Sequence, residues 1–152
     1  MCYIIGVIGG SRVNKSIYRI AYEVGKFIAK KKGIVVCGGL TGVMEAACKG
    51  AKEENGLTIG ILPDNNKNTA NRYVDIPIPT GIGEARNMVI INTADGLIAI
   101  DGKYGTLSEV AFALRRGKPI VGIDTFDFKD IIKANTPYEA VEKIFAMVSE
   151  KK

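Results

Sequence analysis

The chain has 152 residues, 47% hydrophobic and 24% charged, which is enough to bury the core of one domain and ordinary for a soluble globular protein. Its 21 Lys and Arg against 16 Asp and Glu leave a formal charge of +5. The excess gathers at expected helix ends (Lys30-Lys31-Lys32, Arg115-Arg116, Lys151-Lys152) without a basic and aromatic stripe, which argues against a nucleic-acid partner. The absence of histidine excludes Ser-His-Asp chemistry and histidine-held metals, and no metal site is expected.

In chain order, residues 3–8 form a continuous apolar run ending in Gly9-Gly10-Ser11, the pattern of a strand buried on both faces. Ile17, Ile20, Ala21, Val24, Phe27 and Ile28 then recur at helical spacing. Residues 34–37 are a second apolar run, closed by Gly38-Gly39. Residues 41–54 read as a helix with Val43, Ala46, Ala47 and Ala51 on one side, and 57–62 as a strand stopped by Pro63. An Asn- and Pro-rich stretch, 64–81, breaks the rhythm. It holds a polar loop over 64–71, equally readable as a lid or an idle loop, and a short strand near 73–76. Residues 83–93 read as helix, 96–100 as strand, 104–116 as helix, 119–123 as strand and 136–150 as a last helix.

Strands alternating with helices predict a single α/β domain over 1–152, a doubly wound Rossmann-like parallel sheet with helices on both faces. The crossover rule favours a core order of 3-2-1-4-5. The cysteines Cys2, Cys37 and Cys48 are far apart in sequence and make no C-x-x-C, so neither a zinc site nor a disulfide framework is expected. Without a leader pattern or a membrane-length apolar run, the expected compartment is the cytoplasm.

Doubly wound sheets bind ligands beyond the carboxyl ends of their strands, at the switch point, here between the first and fourth strands. Three glycine-rich turns fall at such ends: Gly9-Gly10-Ser11, Gly38-Gly39-Leu40-Thr41-Gly42 and Asp101-Gly102-Lys103-Tyr104-Gly105-Thr106. Each leads into a helix N-terminus, where free N–H groups attract anions. Tight turns favour glycine anyway, but three on one edge point to a phosphate cradle. Neither G-x-G-x-x-G after the first strand nor a P-loop occurs, so NAD binding and ATP hydrolysis are not indicated. Glu109 has two readings. Thr106-x-x-Glu109 matches a capping box. Alternatively, an acid beside a phosphate cradle suits a ligand that develops positive charge, as a sugar does when its N-glycosidic bond breaks. Arg86 reads as a surface arginine or as a phosphate clamp.

The stretches VCGGLTGVMEAACKGAKEENGLTIGILP, GEARNMVII and DGKYGTLSE together resemble the LONELY GUY-like superfamily, whose members have carried a lysine decarboxylase label. Within it the chain is most similar to the small branch that includes the molybdenum cofactor carrier proteins. The resemblance runs from Ile5 to about Gly122. It implies a small phosphorylated ligand, either a nucleoside 5′-monophosphate whose base is hydrolysed off or a carried molybdenum cofactor, with no other cofactor required. It also implies a homo-oligomer, a dimer or tetramer. No membrane partner is expected, since no apolar run is of membrane length. The phosphoribohydrolases carry P-G-G-x-G-T-x-x-E. By that likeness Glu109 would be the catalytic acid, Arg86 its partner, and Gly102, Gly105 and Thr106 the phosphate holders. Gly38, Gly39 and Gly42 would be the second glycine loop. Nothing resembles a pyridoxal site. The signature's Pro-Gly-Gly reads Asp101-Gly102-Lys103 here, and its Arg-Lys reads Arg86-Asn87, so hydrolase and non-catalytic carrier both stay open.

Overall fold

Side chains along β1 (Ile4–Gly9) divide between two helical layers, as the period of two demands. Ile5 and Val7 enter one core with Ala21, Val24 and Ile28, whereas Ile8 enters the other with Ile90, Ile91 and Val110. The computed structural model, which describes residues 2–151, repeats this division along the fourth-expected strand: Ile98 and Ile100 face the first layer, Leu97 and Ala99 the second. Burial on both faces explains why these strands read as unbroken apolar runs rather than alternating ones.

The first layer holds α1 (Lys15–Lys30), α2 (Val43–Glu53) and α5 (Pro137–Glu150). The second holds α3 (Arg86–Thr93) and α4 (Tyr104–Arg115). Local signals set several helix starts. Asn14 caps α1 by accepting from the Ile17 N–H at 2.9 Å. Thr136 caps α5 by accepting from the Glu139 N–H at 3.1 Å, while Glu139 reaches back to the Asn135 N–H.

The remaining strands are β2 (Ile34–Cys37), β3 (Thr58–Leu62), β4 (Ile76–Pro79), β5 (Gly96–Ile100), β6 (Ile120–Ile123) and β7 (Ile132–Lys133). All pairs are parallel, in the order β4-β3-β2-β1-β5-β6-β7. The expected five-strand order survives as the centre, β3-β2-β1-β5-β6, and a strand is added at each edge. β4 begins later than the sequence suggests. Asn71 turns the chain by accepting from the Tyr73 N–H, and the Thr58 hydroxyl ties down Tyr73 and Asp75, so pairing starts only at Ile76. Pro77 and Pro79 suit that edge, where a missing N–H costs little. Similarly, residues 83–85 form a 3₁₀ turn, and α3 proper begins at Arg86.

Candidate functional site

β1 and β5 are neighbours, and their connections leave the sheet toward opposite layers. A cleft of about 380 Å³ opens at that switch point, beyond the strand ends. Gly9, Gly10 and Ser11 line one wall. Gly38, Met44 and Arg86 line a second, and Lys103, Gly105, Thr106 and Glu109 a third. Three cations (Arg12, Arg86, Lys103) and three acids (Glu84, Asp101, Glu109) border it.

The third wall begins where β5 ends. Asp101 and Gly102 take φ of 53° and 120°, which turns the chain sharply out of the sheet. Lys103 then occupies the N-cap of α4 with φ −128°, a conformation open to any residue, and its side chain makes no capping bond. The first intrahelical bond runs from the Leu107 N–H to the Lys103 carbonyl. The N–H groups of Tyr104, Gly105 and Thr106 therefore sit at the uncapped, positive end of the helix.

This start rules out the capping box. Thr106 is the third residue of α4 rather than its N-cap, and Glu109 lies in the second turn. Glu109 is 8% exposed and turned into the cleft. Burial pushes its carboxyl up to about 7, while the positive charge of Arg86 pulls the other way. The two groups interact without closing to an ion pair or a hydrogen bond among the described residues.

Arg86 is folded against the second wall. Its Nη1 donates to the Ile61 carbonyl at 3.2 Å. Its Nε is buried and has no hydrogen-bond partner, the one such side-chain nitrogen or oxygen among the described residues. Burial lowers the pKa of the guanidinium, and Glu109 opposes that shift. Behind this wall, Cys37 and Cys48 are fully buried with their Sγ atoms 3.5 Å apart, a proximity that their sequence separation hides. Cys2 is exposed.

Of the residues singled out by sequence, Gly9, Gly10, Ser11, Gly38, Arg86, Lys103, Gly105, Thr106 and Glu109 border the cleft. The others do not line it. Gly39 packs on Gly60 and Leu62, and Gly102 on Thr106. The Thr41 hydroxyl donates to the Ser11 carbonyl at 2.9 Å. Gly42, at φ 68°, lets α2 abut the first glycine turn, since a Cβ there would lie 2.6 Å from the Ser11 carbonyl carbon. Tyr104 is 89% exposed. The 64–71 loop contributes nothing to the lining. At its end Asn71 braces the second glycine turn through Gly39 and Leu40. Sequence reasoning missed Arg12, Met44, Glu84 and Asp101 as lining residues. Only Asp101 had a signal, its place at a strand end before a glycine turn.

The fold and the cleft define a Rossmann-like ligand-binding domain. The chain belongs to the SLOG cluster4 family, whose model matches residues 2–151. It is similar in structure to the molybdenum cofactor binding protein of Rippkaea orientalis, at TM-score 0.92 and 36% identity over 97% of this chain and 98% of that one. It is also similar to the molybdenum cofactor carrier protein of Chlamydomonas reinhardtii, at TM-score 0.88 and 35% identity over 97% and 99%. In sequence it is 29% identical over 113 residues to a rice (Oryza sativa subsp. japonica) protein named "Probable cytokinin riboside 5'-monophosphate phosphoribohydrolase LOGL9", covering 72% of this chain and 49% of that one.

Proposed function

We propose that the cleft binds a phosphorylated, nucleotide-like ligand. Its phosphate would rest on the free N–H groups of Gly105 and Thr106 with Arg86 and Lys103. Its ring system would lie over Gly9 and Gly10. The observation that carries this reading is Arg86. A guanidinium held in a cleft wall with a buried, unpartnered Nε keeps a strong donor in reserve, and leaving such a donor unmade is costly unless a ligand completes it. An anion with in-plane acceptor oxygens is the natural complement.

Two uses of that site follow. Likeness along nearly the whole chain to proteins described as binding or carrying the molybdenum cofactor supports a carrier that holds this pterin as cargo. Glu109 favours the second, phosphoribohydrolase use. A carboxyl poised near neutrality beside the phosphate site can stabilise an oxocarbenium-like sugar while the C1′–N bond breaks and water adds at C1′. Lys103 and Asn87, which depart from the hydrolase signature, favour the carrier. Neither use calls for a further cofactor. A homo-oligomer is part of the proposal, with Ile82, Tyr104 and Phe112 exposed around α3 and α4 as the apolar surface for a second copy. No described helix is long and apolar enough to cross a membrane, and the cytoplasm is the compartment proposed.

Incubation with nucleoside monophosphates, read as free base by chromatography, separates the two uses. Base release that Glu109→Gln abolishes supports the hydrolase. Tight binding of a nucleotide or of the cofactor without base release supports the carrier. Absence of any binding, inorganic phosphate included, refutes the site.

A further inference from the structure

Asp101 is the one cleft-lining acid held in a left-handed backbone conformation, φ 53°, which a non-glycine residue adopts at a cost. Two bonds maintain it: its N–H donates to the Ile123 carbonyl at 3.2 Å, and its carbonyl accepts from the Thr125 hydroxyl at 2.7 Å. Asp124 takes the same conformation, φ 48°, at the end of β6, but it lines a separate, smaller cavity. Only at Asp101 does the turn deliver a carboxylate to the cleft.

Among the described residues that carboxylate enters no ion pair or side-chain hydrogen bond. It lies over the first glycine turn, with Oδ2 3.5 Å from where a Cβ on Gly10 would stand. The lack of a side chain at Gly10 leaves a flat floor beside it. A phosphate is the wrong neighbour for this acid, and the uncapped start of α4 offers the phosphate a better place. What remains for Asp101 is an uncharged part of the ligand. A carboxylate with two free oxygens is complementary to two adjacent N–H donors in one plane. Among ring systems, an amino group next to a ring N–H supplies such a pair, and guanine and pterins share that 2-amino-4-oxo edge. Adenine and hypoxanthine lack it.

Resting on the reading of the cleft as a phosphorylated-ligand site, we infer that Asp101 selects ligands by the 2-amino-4-oxo pyrimidine edge, accepting its two N–H donors side by side. Arg86 and α4 hold the phosphate, and Asp101 reads the ring.

The test is calorimetric titration of the full chain with GMP, IMP and inorganic phosphate, and with pterin and its 2-oxo analogue lumazine. IMP differs from GMP only by the missing amino group. The expected result is a preference of roughly tenfold or more for GMP over IMP, or for pterin over lumazine. The arm that shows it identifies the source, nucleotide or pterin. Asp101→Asn tolerates the left-handed turn and should bring the preferred pair to within about twofold, with phosphate bound at least as tightly as by the unaltered protein. If that variant fails to fold, Asp101→Gly removes the carboxylate and relieves the turn. Equal affinities within both pairs in the unaltered protein, with phosphate still bound, overturn the inference and leave the phosphate site standing. A preference that persists in the variants overturns it too. Loss of all binding, phosphate included, overturns the reading of the cleft and this inference with it.

Discussion

The guanidinium of Arg86 occupies the space that a side chain at position 38 would need: a Cβ on Gly38 would lie 2.9 Å from its Cζ and 2.6 Å from Sδ of Met44. Gly38 is thus a seat for Arg86 within the cleft wall. Gly38→Ala should evict the guanidinium and weaken binding of a phosphorylated ligand about as much as Arg86→Ala, roughly 10- to 100-fold. Combining the two should add little, because both remove the same interaction. Titration of the three variants with one nucleotide measures this, and fully additive losses would show that the two residues act separately.

Glu109 makes stability depend on pH in a definite direction. Its carboxyl is raised from 4.5 to about 7 in the folded protein, so the native state holds this proton more tightly than the unfolded chain. The associated stability is present below pH 4.5 and is lost as pH rises through about 7, by ~3 kcal/mol at most. Glu109→Gln removes that decline. The variant should match the parent in thermal unfolding at pH 4 and exceed it at pH 8. Any base release by the parent should rise through about pH 7 as the carboxyl ionises and be absent from the variant. A variant less stable than the parent at pH 8 would contradict the assignment.

Lys103 stands where the hydrolase signature has glycine, yet its backbone is unstrained, and the residue is exposed at the cleft rim. Its ammonium is therefore a surface charge, which the proposed function sets against the phosphate of a ligand. Lys103→Ala should weaken nucleotide binding about 3- to 10-fold at low salt and leave a smaller effect at high salt, where the charge is screened. Affinities measured at two ionic strengths check this, and equal losses at both would point to packing instead.

The thiols divide by burial. Cys2 is exposed, while Cys37 and Cys48 are closed off behind the second wall. One thiol per chain should react promptly with an aromatic disulfide reagent in the native state, and three in denaturant. Prompt reaction of all three in the native protein would mean that α2 opens readily.

Much of the architecture was legible because both faces of the central strands are buried. A strand such as Gly96–Ile100 has no solvent side, so its residues must all be apolar, and the run betrays it. The edges were less legible. β4 pairs on one side only and tolerates two prolines, and its start depends on Thr58, a residue far back in the chain. The glycine turns were also legible as a group, but their division of labour was not. Gly10 and Gly105 border the cleft, whereas Gly39 and Gly42 serve packing. Composition cannot separate these roles, since either close approach or a tight turn asks for the same residue.

The two Thr-x-x-Glu segments show where sequence stops. At Thr136 to Glu139 the pattern caps a helix. At Thr106 to Glu109 it does not, because the turn at Asp101 and Gly102 starts α4 three residues earlier and carries Glu109 into the cleft beside Arg86. The sequence by itself determined the layered parallel sheet and the edge on which a ligand would sit, since both follow from periodicity and strand ends. Only the tertiary structure brought Glu109 into the cleft, because helix start, burial and the neighbouring charge arise from contacts between segments far apart in the chain.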